Sequence, residues 1–212
     1  MTLFYLHGFT SSARSTKAGY FDTCLSRYGI PLRCPDFNEP DFATLTMTRM
    51  LDQLDAEMRD ASSATCTLIG SSLGGRLAVL AASRWVDRVD KLVLLAPAIM
   101  RDVALLPPDR MAQWKRDGTM AFLHYADNRE HQLQYGFYED LLRYDAFGAS
   151  FPQSTLVFQG VRDTAVPARE VEAFAASRPN VSLTLLDDEH QLMNSLPRIW
   201  NEIETFLELR SA

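Results

Sequence analysis

Short apolar runs alternate with longer stretches of helical periodicity along most of this chain. Leu3 to Leu6, Ile30 to Cys34, Thr65 to Ile69, Lys91 to Ala96, Thr155 to Phe158 and Ser182 to Leu186 read as strands. The segments between them place apolar residues at helical spacing. Thr16 to about Tyr28 puts Tyr20, Phe21 and Leu25 on one face. Phe42 to about Arg59 carries a stripe of Met47, Met50, Leu51, Leu54 and Met58. Leu73, Leu77, Leu80 and Ala81 repeat the pattern, Pro167 to Ala176 opens on a first-turn proline, and Leu196 to about Leu209 buries Ile199, Ile203, Phe206 and Leu207.

Alternating strands and helices predict an α/β fold, with a six-stranded, mostly parallel sheet covered by helices on both faces. Residues 100–150 break the rhythm. They hold two expected helices, rich in aromatic and charged residues, with no evident strand. Such an insertion between two strands of a parallel sheet is expected above the strand ends as a helical lid. Residues 1–212 are then one domain with that lid inserted.

Composition narrows the class. A chain of 212 residues suffices for one well-filled core. Its net charge of −6, with no long run of one sign, argues against nucleic acid or an anionic membrane as partner. Cys24, Cys34 and Cys66 are odd in number and lack metal-type spacing, so free thiols in a reducing compartment are expected, with no metal. The first residues lack the basic segment and longer apolar core of a signal peptide, and no stretch has the length of a membrane span. A cytoplasmic location is the expectation.

Chemistry concentrates at Gly70-Ser71-Ser72-Leu73-Gly74-Gly75. A buried strand runs into Gly-x-Ser-x-Gly and then into a helical pattern. A serine on so sharp a strand-to-helix turn is lifted clear of the sheet, and the glycines are required where a Cβ would clash. Ser72 is therefore the candidate nucleophile. A serine hydroxyl needs a base, and the base an orienting carboxylate, in chain order serine, acid, histidine. His124, His131 and His190 follow Ser72. His190 lies after the last strand, at the carboxyl edge of the sheet that also carries the serine turn, and is the candidate base. His124 and His131 fall in the insertion, where an exposed polar role is expected. Asp163 ends the preceding strand and is the candidate acid; Asp187, Asp188 and Glu189 read as a solvated acidic loop. Oxyanion stabilisation needs two backbone N–H donors. Leu73 follows the serine, and Phe9 lies in the His7-Gly8-Phe9 loop after the first strand. His7 is expected to brace that loop. Lys17 is assigned to the start of the first helix without a catalytic role.

These motifs, together with Tyr5-Leu6-His7-Gly8-Phe9-Thr10-Ser11-Ser12-Ala13-Arg14-Ser15-Thr16-Lys17-Ala18, resemble the α/β-hydrolase superfamily, in particular the small bacterial YqiA-like esterases. The resemblance implies carboxylic ester or acyl-thioester hydrolysis by Ser72, Asp163 and His190, without a cofactor. Haloalkane dehalogenases and epoxide hydrolases need an aspartate where Ser72 stands. A non-catalytic binding module on the same scaffold is the alternative outside enzymology. The insertion's Phe122, Tyr125, Tyr135, Phe137, Tyr138, Tyr144 and Phe147 are expected mainly to pack it onto the body, with a few facing the acyl group. Arg101, Arg110, Lys115 and Arg116 suit either an anionic substrate or a solvated face.

Overall fold

Adjacent residues of each central strand point to opposite faces of a sheet, and both faces are apolar here. Phe4, Leu6, Leu68, Leu92 and Leu94 project to one side, and Leu3, Tyr5, Ile69, Val93 and Leu95 to the other. The strands are β1 (Thr2–Leu6), β2 (Leu32–Arg33), β3 (Cys66–Ser71), β4 (Val89–Leu95), β7 (Ser154–Gly160) and β8 (Val181–Leu186). They form one six-stranded sheet in the order β2-β1-β3-β4-β7-β8, and every pairing is parallel. The computed structural model describes residues 1–61, 63–103 and 105–209. Position 104 of the expected lid and the last three residues of the expected 1–212 domain lie outside the described residues.

Helices cover both faces, as the strand pattern demands. On one face lie α2 (Met47–Asp60), α3 (Leu73–Arg84) and α6 (Ala168–Ala176), through residues such as Met50, Leu54, Leu77 and Phe174. On the other lie α1 (Thr16–Ser26) and α7 (Leu196–Phe206), through Phe21, Leu25, Ile199 and Ile203. Two expected boundaries shrink. The edge strand β2 pairs only at Leu32 and Arg33, because Pro31 and Pro35 have no N–H to extend the ladder. Helix α2 begins at Met47 because the Thr46 side chain accepts from Arg49 N and caps it there.

The insertion between β4 and β7 departs from the expected pair of helices. It carries α4 (Pro108–Asp117) and α5 (Gly136–Leu141), and between them an antiparallel hairpin, β5 (Thr119–His124) with β6 (Arg129–Gln134). The turn between these strands places Asn128 at φ 55°. Strand β6 is polar apart from the buried Leu133, so no alternation betrays it; pairing with β5 creates it. Arg76 of α3, itself buried, ties the insertion to the body by donating to the carbonyls of Ala98 and Tyr144.

The connection from β1 leads to the β2 edge, and that from β3 leads the opposite way to β4. The sheet therefore reverses direction between β1 and β3. The crevice outside the carboxyl ends of those two strands is where such sheets leave room for a ligand.

Candidate active site

Ser72 stands at that reversal, between β3 and α3, at φ 53° and ψ −115°. A non-glycine residue there is strained and persists only when its surroundings over-determine it. They do: Ser72 N donates to Leu95 O at 2.9 Å, and Ser72 O accepts from Gly75 N at 2.9 Å and Ala98 N at 2.9 Å. The flanking glycines are steric necessities. A Cβ on Gly70 would lie 2.4 Å from Gly74 O, and one on Gly74 would lie 2.0 Å from Leu6 O.

The structure brings the three side chains singled out from the sequence into one line. His190 Nε2 lies 3.0 Å from Ser72 Oγ, and His190 Nδ1 lies 2.7 Å from Asp163 Oδ2. Asp163 is buried and held from several sides. Its Oδ1 accepts from Ala165 N and Val166 N, each at 2.8 Å, and its Oδ2 accepts from Gln159 Nε2 at 2.9 Å. Burial alone would raise the Asp163 carboxyl. The hydrogen bonds from His190, Val166 and Gln159, with the attraction of the ring, outweigh it and hold the group below the usual aspartate range.

The loop after β1 is set by His7. Phe37 N donates to His7 Nε2 at 3.0 Å, so the ring proton is on Nδ1, which donates to Gly8 O at 2.9 Å. Gly8 O also accepts from Ser11 N. In a trans peptide the next N–H points opposite to that carbonyl, which turns the Phe9 amide away from His7. Among the described residues neither Phe9 N–H nor Leu73 N–H has a protein acceptor. Leu73 opens α3, whose first amides have no intrahelical partner and carry the positive end of the helix dipole. The bracing role expected of His7 is thus the one its contacts describe.

A cleft of about 830 Å³ opens over Ser72 and His190. Its wall is mainly apolar and includes Phe9, Met100, Leu106, Phe122, Phe137 and Val166. The Phe9 ring stacks on Phe137 with centroids 5.3 Å apart and meets Phe122 edge-on at 5.3 Å. Of the aromatic residues singled out in the insertion, Phe122, Tyr125 and Phe137 reach the cleft. Tyr135, Tyr138, Tyr144 and Phe147 pack against the core. None of Arg101, Arg110, Lys115 and Arg116 lines the cleft.

Two readings need correction. Asp188 is buried, not solvated: it accepts from Glu189 N at 2.8 Å and Ser195 N at 2.9 Å, and so ties down the loop that carries His190. Burial would raise its carboxyl, but these bonds prevail and lower it. Asp187 is exposed, as expected, and pairs with Arg162. Lys17 stands in the first turn of α1, as expected, and its side chain turns inward. It is 7% exposed, lines the cleft, and donates from Nζ to Gln191 O at 3.1 Å. Burial pushes its pKa down to about 8, against the pull of Asp163 and Asp188. His124 is buried, where exposure was expected. Gln159, which the sequence reading left aside, donates to Asp163, Gly160 O and Val166 O. A polar residue directly after the apolar run Leu156-Val157-Phe158 was its one available signal.

Comparison with known structures places this architecture. The chain is similar to alpha/beta hydrolase domain-containing protein 10 from mouse, at 18% identity and a TM-score of 0.81, over 98% of this chain and 89% of that one. It is similar to Est1E from Butyrivibrio proteoclasticus with ferulic acid bound, at 19% identity and a TM-score of 0.82, over 99% and 89% of the two chains. A monoacylglycerol lipase from Paleococcus ferrophilus aligns at 13% identity and a TM-score of 0.78, over 98% and 94%. At these identities the likeness speaks for the fold alone, an α/β-hydrolase fold. No curated protein sequence matches the chain. Among the described residues, no helix is long and apolar enough to cross a membrane. A family model matches residues 2–208, nearly the whole of what folds around the Ser72 turn, and the chain therefore belongs to the uncharacterised protein family UPF0227.

Proposed function

We propose that this protein is a serine hydrolase that cleaves carboxylic esters of small or medium acyl groups through an acyl-enzyme on Ser72. The observation that carries the reading is the line from Ser72 Oγ to His190 Nε2 at 3.0 Å and from His190 Nδ1 to Asp163 at 2.7 Å, at the sheet's reversal point. In this reading His190 takes the Ser72 proton as Oγ attacks the acyl carbon, and returns it to the departing alkoxide. Asp163 keeps the other ring proton on Nδ1 and stabilises the imidazolium. The negative oxygen of the tetrahedral intermediate is held by the amides of Phe9 and Leu73, whose N–H groups have no acceptor among the described residues. Water, activated by the same histidine, then releases the acid. No cofactor enters these steps.

The apolar wall of the cleft suits an acyl chain, and its size suits a small or medium one. Residues 100–150 serve as a lid in this reading, since Leu105, Leu106, Phe122, Leu123, Tyr125 and Phe137 all border the cleft. The whole chain then works as one catalytic domain. The test is labelling by a fluorophosphonate probe together with hydrolysis of a nitrophenyl ester. Wild-type protein is expected to label at Ser72 and turn over, and Ser72→Ala to do neither, leaving at most the ~10³-fold background that oxyanion donors supply over water. Hydrolysis by purified Ser72→Ala at the parent rate refutes the assignment.

A further inference from the structure

The hairpin of the insertion carries a second cluster, unrelated to the ester chemistry. His124 ends β5, Asp127 lies in the turn, and His131 lies in β6. Phe122 pairs across the hairpin with His131 and His124 with Arg129, so the two histidines are diagonal neighbours on one face. One ligand atom from each of His124, Asp127 and His131 can be chosen so that all three lie within 4.8 Å of one another. His131 Nε2 is 2.7 Å from Asp127 Oδ2, and His124 Nδ1 is 3.8 Å from Asp127 Oδ1. Ligands on one tetrahedral zinc, each at about 2.0–2.1 Å from the metal, lie about 3.3 Å apart. One observed separation is shorter and the other longer than that value, each to a different oxygen of Asp127.

An independent observation concerns the tautomer. Asn38 Nδ2 donates to Ser11 O and Asp36 Oδ1, each at 2.8 Å, which leaves Asn38 Oδ1 as an acceptor. His124 Nε2 lies 3.3 Å from that oxygen and must carry the ring proton. Nδ1 is then bare, and it is the nitrogen that faces Asp127. A histidine held by its far N–H so that the near nitrogen is free is the outer-shell arrangement of metal-ligating histidines. Both rings are also fixed by Phe42, edge-on to His124 at 5.2 Å and to His131 at 6.2 Å. As metal ligands, two imidazoles and one carboxylate present a single negative charge to a dication.

We propose that His124, Asp127 and His131 form a divalent transition-metal site that takes Zn²⁺, with water in the fourth position. The cysteines, whose spacing predicts no metal, play no part in it. The ion clasps the two strands at their turn, beside Tyr125, whose amide donates to Thr10 O at 2.9 Å and whose side chain borders the cleft. It steadies the lid and takes no part in bond cleavage.

The test titrates Zn²⁺ alone into the full, chelator-treated chain by calorimetry, with thermal unfolding alongside. Saturable binding of about one Zn²⁺ per chain is expected, with a rise in the wild-type Tm. His131→Ala and Asp127→Asn should each weaken binding at least about tenfold and abolish the Tm rise. Asp127→Asn keeps the side-chain oxygen that accepts from Arg129 N at 3.2 Å, so the turn survives. Binding should persist in His190→Ala and Cys34→Ser, which separates this site from the catalytic histidine and the half-buried thiol. Absence of saturable binding, equal affinity in Asp127→Asn, or loss of binding in His190→Ala would each overturn the proposal.

Discussion

Lys17→Met isolates a buried charge at the edge of the cleft. The Lys17 ammonium is nearly out of water and donates to Gln191 O, and its pKa falls from 10.5 to about 8. The sign follows from proton counting. Below about pH 8 the folded and unfolded chains both hold the proton, and the full penalty of burying a charge is present. Between about 8 and 10.5 the unfolded chain keeps the proton while the folded chain releases it, so stability rises with pH across that window. Each pH unit is worth about 1.4 kcal/mol, which amounts to about 3 kcal/mol over the whole window. Methionine has a similar length and no proton to lose. The difference in unfolding free energy between wild type and Lys17→Met therefore cancels other titrations. At any single pH this difference includes the packing of the methionine; its change with pH does not. Urea unfolding from pH 7 to 10.5, followed through buried Trp114 and Trp200, measures it. The wild type should gain about 3 kcal/mol on the variant across that range. A difference flat to within about 0.5 kcal/mol would refute the reasoning, because Lys17 would then titrate alike in both states.

Asp163→Asn keeps the shape of the acid but favours the wrong histidine tautomer, so kcat should fall by ~10⁴-fold, as in the serine-protease precedent, while exposed Asp187→Asn stays near the parent rate. Asp188→Ala leaves the amides of Glu189 and Ser195 without their acceptor, and denaturant unfolding should show a loss of about 2–3 kcal/mol. Its kcat/KM should fall as well, since the His190 loop loses its anchor. Gly74→Ala drives a Cβ to 2.0 Å from Leu6 O, and is expected to lose at least about 3 kcal/mol, a drop in Tm of at least about 6 °C by calorimetry.

The features legible in the sequence were those that a short stretch of chain must satisfy by itself. Strand and helix positions follow from periodicity, because Leu3 to Leu6 or Met47 to Met58 bury the same faces wherever the elements dock. The Ser72 turn is readable because its backbone excludes side chains at Gly70 and Gly74, a local demand that writes itself as glycine. The order of Ser72, Asp163 and His190 was readable because parallel strands bring their carboxyl ends to one edge whatever lies between. Other features depended on residues far apart in sequence. The β5–β6 hairpin exists because a polar strand finds a partner, and Leu133 alone carries its burial. Asp188 looked like its acidic neighbours until Ser195 and Asn194 folded back to hold it. His124 was expected to be exposed, and tertiary packing buries it between Phe42 and Asn38; the burial of Lys17 against Gln191 likewise comes from a segment far away in sequence. Periodicity reports which way a side chain points from its own element. Only the packed structure decides what stands on the other side, and that neighbour sets the burial, the proton and the chemistry of a polar group.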